Sequence, residues 1–409
     1  MPSTSRSSTP TWAHPTDDSE AAADPFDVVV IGAGLAGSAA ATHLARAGAR
    51  VLLLEAEAFP HDRLCGEFLS PESAPMLERL GASDAVAAAG PSRMTEARVT
   101  SPGGAVWSSH LPSSALGLSR RALDALLFEN AAAAGVVTLA PARVTNVVQV
   151  AEGTQRVAYR VRDGETREVA ARLALGAWGK RSGLDRALAR RFLYRDHPTF
   201  ALKAHYHGPR IGARVELHTF DGGYCGLADV EGGKVNLCLL AETRLLRAQG
   251  GDPEAFARNV LPTNPALGDW LAQAERIHPR FIAISQVPFS PKEQVVDGVL
   301  MLGDAAGLIS PLAGNGMAMA MAAAEMASPL ALAYLDGKMS RVDLEREYSR
   351  RWRARFGRRL RLGRVLQPLM FQPRTLGVGL RLLRAAPFVG RALVAGTREA
   401  PTTNTAIAT

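Results

Sequence analysis

Residues Asp27 to Glu55 read DVVVIGAGLAGSAAATHLARAGARVLLLE, and the punctuation of this stretch decides the fold. Val28 to Ile31 is apolar at every position, which suits a strand buried on both faces. Gly32, Gly34 and Gly37 follow at GxGxxG spacing. The first glycine permits a tight turn, the second lets the backbone approach a pyrophosphate, and the third lets a helix lie close to the strand. That helix, opening with Leu35 and Ala36, runs to Gly48 and offers its N-terminal amides to an anion. Val51 to Leu54 forms a second strand ending in Glu55, an acid placed to accept a ribose hydroxyl. Strand, glycines, helix and an acid about twenty residues on indicate a dinucleotide site. The plainer alternative is a strand-turn-helix whose glycines serve packing only.

The chain has 409 residues, 47% of them apolar, enough for a large core and roughly two or three domain-sized units. Cys65, Cys225 and Cys238 are widely spaced and odd in number, which argues against a disulfide framework or a CxxC metal site. A reducing cytoplasm fits this cysteine usage. Residues 1–24 are rich in Ser, Thr, Pro, Ala and acids and read as a disordered tail, neither signal nor anchor. No apolar run reaches the roughly 18 residues needed to span a bilayer. Ala85 to Gly90 and Met317 to Met326 read as helix material of a globular body.

The net charge of +8 is concentrated: Arg350 to Arg364, RRWRARFGRRLRLGR, holds eight arginines and no acid. No nucleic-acid module surrounds this run, so nucleic acid is not the expected partner. Val365 to Val394 mixes Leu, Met, Phe and Val with arginines, the pattern of a basic amphipathic surface that rests on anionic lipid. A solvated helix pair packed on the body is the alternative. Residues 341–409 are therefore expected to form a basic helical region with peripheral membrane contact.

Val299 to Leu302 is another apolar strand, followed by Gly303-Asp304-Ala305-Ala306-Gly307 and then Pro311, Gly314, Asn315 and Gly316 before a helix of Met and Ala. An acid at a strand end beside a glycine-rich helix start places a carboxylate near a polyol and amides near a second electron-rich group. A flavin has both parts. GDAAGLISPLAGNG resembles the GD and P...GxG motif of the superfamily of FAD-dependent aromatic hydroxylases and geranylgeranyl reductases, and the resemblance extends from Asp27 to about Leu335. It implies an α/β fold: a Rossmann-like FAD-binding domain of the glutathione-reductase type, an antiparallel-sheet substrate domain and a C-terminal helical segment. The FAD domain would be discontinuous, from 25–95, 118–185 and 290–340. The substrate domain would take 96–117 and 186–289.

The resemblance also implies roles. Asp304 would hold the ribitol chain, and the amides from Gly314 through Asn315 and Gly316 to Met317 would face the flavin ring. Leu118 to Asp124 is similar to a family segment whose arginine sits at the FAD phosphates, here Arg120, with Arg121 a surface charge. The strand around Val144 would touch the adenine. Asp62 to Pro71, DRLCGEFLSP, resembles the reductases' cysteine loop beside the flavin, so Cys65 would face the active site and Arg63 would reach the cofactor. Such a thiol donates a proton or tunes the ring, or merely fills space.

Phe200 to Glu242 alternates apolar and polar residues between glycine turns, as an antiparallel sheet does, and would roof the flavin. Its GGYCGLADV piece corresponds to a substrate-contact segment of the reductases, which makes Tyr224 the candidate cavity-lining side chain. His205, His207 and His218 lack metal-ligand spacing and read as solvent-facing strand histidines, so no metal is expected. Trp178 stands where hydroxylases carry the Asp of an Asp-Gly pair, which weakens the case for direct reduction by NAD(P)H. NAD(P)H remains the expected electron donor, with Lys180 and Arg181 holding a phosphate. The paired tryptophans of halogenases are absent.

The favoured function is a flavin-dependent monooxygenase that hydroxylates or epoxidises a lipophilic aromatic or prenylated small molecule of secondary metabolism, using O2 through a flavin hydroperoxide. A geranylgeranyl-reductase-like enzyme saturating isoprenoid double bonds is the alternative. A non-catalytic electron-transfer flavoprotein is a third, hinted at by Trp178. In the first two readings the cofactor carries the chemistry and the protein supplies position and dryness.

Overall fold

A computed structural model describes residues 25–151, 153–311 and 314–385. The expected tail at 1–24 and the end of the basic region after 385 lie outside the described residues. Phe26–Ile31 is the centre of an eight-stranded sheet, lying between Val51–Leu54 and Thr166–Gly176 and parallel to both. Val28, Val29 and Val30 are fully buried, as an unbroken apolar run with a neighbour on each side requires. Val137–Leu139 and Val299–Met301 extend the sheet outward, again in parallel. The hairpin of Ala142–Ala151 and Thr154–Val161 adds antiparallel pairs. Ile31 pairs with Leu54 and Gly176, and Gly176 with Met301, so the loops bearing Gly32, Glu55, Ala177 and Gly303 leave one edge together. In open α/β sheets that carboxyl edge is where ligands bind.

Helix Leu35–Arg46 begins directly behind Gly34, with no side-chain cap and no acid in its first turn. It lies so close to the first strand that a Cβ on Gly37 would collide with the carbonyl oxygen of Gly32. Gly32 itself turns with φ +100°. Helix Gly316–Leu335 packs on Leu35–Arg46 and corrects one expectation. At 20 residues it is long and apolar enough to cross a membrane by length and composition. Glu325 interrupts the apolar run in sequence without ending the helix, and Ala322, Ala323, Ala324, Ala327 and Ala331 place it in the core.

The second sheet has nine strands. Thr199–His207, Val235–Glu242, Gly223–Asp229 and Arg214–Phe220 pair antiparallel in that order, as their alternation implied. Arg214–Phe220 then runs parallel to Ser92–Thr100, so the sheet is mixed and takes in residues from 92 rather than 96. Phe256, Leu267 and Trp270, from two short helices, pack on Phe200, Leu202, Ala204 and Tyr206 of one face. The opposite face looks onto the carboxyl edge of the first sheet.

The arginine run lies within one helix, Arg341–Met370, which Ser340 caps by accepting the Asp343 amide at 3.1 Å. Leu344, Tyr348, Trp352 and Phe356 recur every four residues and are buried, so one apolar stripe anchors the charged first half of the helix. The Tyr348 hydroxyl donates to the carbonyl of Met301 at 2.5 Å. Trp352 presses on Gly307, where a Cβ would come within 2.6 Å of the indole. Helix Pro373–Ala385 follows.

Candidate functional site

A cavity of about 1010 Å³ lies between the two sheets, and every expected site residue except Gly37 and Asn315 lines it. Gly37 stands one layer behind, where it permits helix and strand to pack. Asn315 is the buried residue that precedes helix Gly316–Leu335.

At one end Glu55 binds the glycine loop. Its Oε2 accepts the Ala33 amide at 2.9 Å, and its Oε1 accepts the Glu57 amide at 3.1 Å and Arg63 Nη2 at 2.8 Å. Arg120 forms a forked pair with Asp124, at 2.7 and 2.6 Å. Burial alone would lower the Arg120 pKa, but the Asp124 charge and hydrogen bonds raise it overall, so the guanidinium stays charged. A Cβ on Gly34 would stand 3.1 Å from Arg120 Nη2, which leaves a backbone-lined cradle between the arginine and the free amides of the first helix. Val144 lines the cavity with Ala142 and Arg143.

Around Asp304 the loop is held by two lysines. Lys180 Nζ lies 3.3 Å from Asp304 Oδ2 and donates to the Leu64 carbonyl at 2.9 Å. Lys292 Nζ donates to the carbonyls of Asp304 and Lys180, each at 2.8 Å, and sits 4.4 Å above the Phe192 ring. Burial pulls its pKa from 10.5 down to about 7. Trp178 lines the wall and donates to Asp185 at 3.1 Å. Lys180 is therefore committed to fastening Asp304, while Arg181 donates to Gln286 at 2.7 Å.

Cys65 lies on the wall between these groups and the second sheet. Asn236 Nδ2 donates to its carbonyl at 3.1 Å and its Sγ accepts the Glu67 amide at 3.4 Å. Glu67 is a residue that the sequence reading missed. It is fully buried with φ +55°, a left-handed conformation that costs about 1–2 kcal/mol. Three bonds hold it there: Arg120 N at 2.8 Å, Lys203 Nζ at 2.6 Å and His205 Nε2 at 2.6 Å. Asp62, Glu67 and His205 converge closely enough to suit a metal ion, but the Lys203 ammonium, also 3.5 Å from Asp62, supplies the positive charge at that point.

The strand histidines need correction. His205 and His218 are buried, the latter against Thr100 at 2.8 Å and Glu216 at 3.2 Å, and His207 is exposed. Glu67 and Thr100, which hold His205 and His218, come from elsewhere in the fold, so alternation along the strand did not reveal them, although Glu216 is a neighbour of His218 on its own strand. Burial raises the Cys238 thiol to about 12, so this second cavity-lining thiol stays protonated.

Beyond Cys65 the cavity becomes an apolar arm. Tyr224 is buried there with Val99, Ala201, Leu240, Leu308, Met370 and Leu380, its ring centroid 6.2 Å from that of Phe371. Tyr224 thus lies toward the two C-terminal helices. These helices close the arm with Leu366, Leu369, Met370, Leu376, Leu380, Leu382 and Leu383.

Comparison with known proteins fits this geometry. Residues 25–196 match the model of the FAD binding domain family. The chain is 30% identical over 372 residues to a menaquinone reductase of Mycobacterium tuberculosis, covering 86% of each protein. The chain belongs to the superfamily of FAD-dependent monooxygenases and geranylgeranyl reductases. This flavoprotein is also 27% identical over 347 residues to digeranylgeranylglycerophospholipid reductase 2 of Methanopyrus kandleri, covering 81% of the chain and 83% of the relative. Among solved structures it resembles the myxobacterial chondrochloren halogenase, a FAD-dependent halogenase, at 25% identity with a TM-score of 0.73, covering 82% and 81%.

The flavoprotein's own residues fit FAD. The uncapped helix behind Gly34, with Arg120 opposite, suits a pyrophosphate. Glu55 keeps lone pairs for a ribose, Asp304 is fixed from both sides at the strand end, and Gly316 and Met317 line the cavity at a helix start.

Proposed function

We propose that this flavoprotein is a reductase that saturates a carbon-carbon double bond of a lipophilic, isoprenoid-type molecule. The observation that carries the reading is Cys65, a thiol on the wall where the nucleotide end of the cavity meets its apolar arm. When bound and reduced, FAD supplies a hydride. The chain's own part is to hold the alkene in a water-poor arm and to deliver a proton to the second carbon. The Cys65 thiol is the candidate donor, to be reprotonated after each turnover. Relatives named for menaquinone and for digeranylgeranyl lipid support a long prenyl substrate, as do the apolar side chains that wall the arm. NAD(P)H is the proposed source of electrons, with Arg181, a cation on the cavity wall, the candidate for its phosphate.

Monooxygenation of a lipophilic ring or alkene is the second reading. The arm beyond Cys65 is walled by apolar side chains, which suits oxygen transfer in a dry pocket, and the fold is shared with a FAD-dependent halogenase.

The test is turnover of menaquinone and of a geranylgeranyl lipid by the dithionite-reduced holoenzyme, with and without O2, read by mass spectrometry. Gain of two hydrogens without O2, slowed in Cys65→Ser while bound flavin is unchanged, supports the reductase. Gain of one oxygen atom that depends on O2 supports the monooxygenase instead.

A further inference from the structure

The mouth of the apolar arm is built by residues that also face outward. Leu369 and Leu382 line the cavity, yet they are 49% and 65% exposed. Beside them Val365 is 67% and Val378 56% exposed. Arg358, Arg361, Val365 and Leu369 are spaced three, four and four residues apart, so they form one stripe of helix Arg341–Met370. Val378 and Leu382, four apart, form a second stripe on helix Pro373–Ala385. The residues between them, Leu366, Met370, Leu376, Gly379, Leu380 and Leu383, turn into the cavity. A surface that exposes four large apolar side chains at the lip of an apolar cavity marks an interaction site.

The charge around this lip selects the partner. Arg350 and Arg351 are paired with Glu347. Arg353, Arg361 and Arg364 instead turn a guanidinium to a carbonyl of their own helix, those of Ser349, Gly357 and Leu360. Arg358, Arg361, Arg364 and Arg381 are exposed. Apolar side chains ringed by exposed arginines complement a layer with hydrocarbon inside and negative headgroups outside.

We propose that the lip formed by Val365, Leu369, Val378 and Leu382 docks on an anionic lipid bilayer, and that a lipophilic substrate enters the cavity between the two C-terminal helices directly from the membrane. The arginines supply a salt-sensitive attraction, and the valines and leucines set the depth of insertion. The portal's purpose rests on the reading above that the substrate is lipophilic. The docking itself requires neither substrate nor turnover.

The experiment is flotation of the full-length holoprotein with vesicles of phosphatidylcholine alone, or with phosphatidylglycerol added. The expected result is flotation only with phosphatidylglycerol, at low salt, reversed by high salt. Arg361→Gln/Arg364→Gln should weaken partitioning at least about tenfold. Val365→Asp/Val378→Asp should abolish it while the bound flavin is retained. A wild-type chain that stays unbound at low salt overturns the proposal, as does binding that both variants leave intact. So does a concentration-dependent dimer that Val365→Asp/Val378→Asp dissociates, because a second copy would then cover the lip. Equal retention on a random-sequence DNA duplex and on phosphatidylglycerol vesicles would reduce the arginines to a general polyanion patch and also overturn it. Binding without alkene reduction would leave the docking standing and remove only the proposed reaction.

Discussion

The carboxylate of Glu55 accepts the backbone amide of Ala33 at 2.9 Å. The acid at the end of the second strand therefore fixes the shape of the glycine loop after the first, besides being placed for a ribose. Glu55→Gln would turn one acceptor into a donor and weaken both functions. Hydrogen bonds to charged groups contribute about 1.5–3 kcal/mol, so FAD affinity should fall roughly ten- to hundredfold. Fluorescence titration of the apoprotein with FAD measures this, and an unchanged Kd would confine Glu55 to the loop.

Gly34→Val and Asp304→Ala should each give a folded, colourless protein. Gly34 has φ −75°, so valine does not strain the backbone there, yet its side chain would fill the cradle facing Arg120. Asp304→Ala removes the proposed ribitol acceptor while Lys292 still holds the backbone. Circular dichroism should match the parent and the flavin absorbance should be lost. Two yellow variants would refute the cofactor placement.

Glu67 and Lys203 are both fully buried and 2.6 Å apart. Removing one partner of such a pair typically costs about 3–5 kcal/mol, whereas replacing both with apolar residues costs much less. Glu67→Gln should therefore destabilise more than the double variant Glu67→Leu/Lys203→Met in urea unfolding. Additive costs would show that the two side chains do not act as a pair.

Lys292, lowered by burial to about 7, binds fewer protons folded than unfolded between about pH 7 and pH 10.5. Stability from this group accordingly rises with pH across that window, and below it the cost of a buried ammonium is fully present. The parent should gain on Lys292→Met as pH rises, by at most about 1.4 kcal/mol per pH unit. Urea unfolding at about pH 7 and about pH 9 checks it. A difference independent of pH would mean that Lys292 titrates normally.

Much of the nucleotide end was legible because its signals are local. Gly32, Gly34, Glu55 and Asp304 each sit one to three residues beyond an apolar strand, and strand ends of a parallel sheet converge by geometry alone. The Glu67 network was not legible, since its partners lie 136 and 138 residues away and no spacing rule links them. His205 read as solvent-facing because it alternates with apolar neighbours, and Lys203, two residues before it on the same face, carried no signal of its own. In the fold Thr199–His207 is covered on both faces, and acids from the Cys65 loop satisfy the polar one. Helix Gly316–Leu335 misled for the opposite reason, as one glutamate hid an apolar span that the core could bury.

Tyr348 on Met301 has a consequence for biosynthesis. The nucleotide sheet takes its central strand from the start of the chain and an outer strand from residues 299–301, which the arginine-rich helix then seals. On the ribosome the glycine loop emerges hundreds of residues before the outer strand that completes its sheet beside Thr166–Gly176, and assembly of such high contact order is slow. The nascent chain must wait with an unsealed strand edge, the kind of intermediate that chaperones shield. A message truncated ahead of the basic helix would therefore yield a polypeptide that carries every glycine of the cofactor motif and still cannot mature.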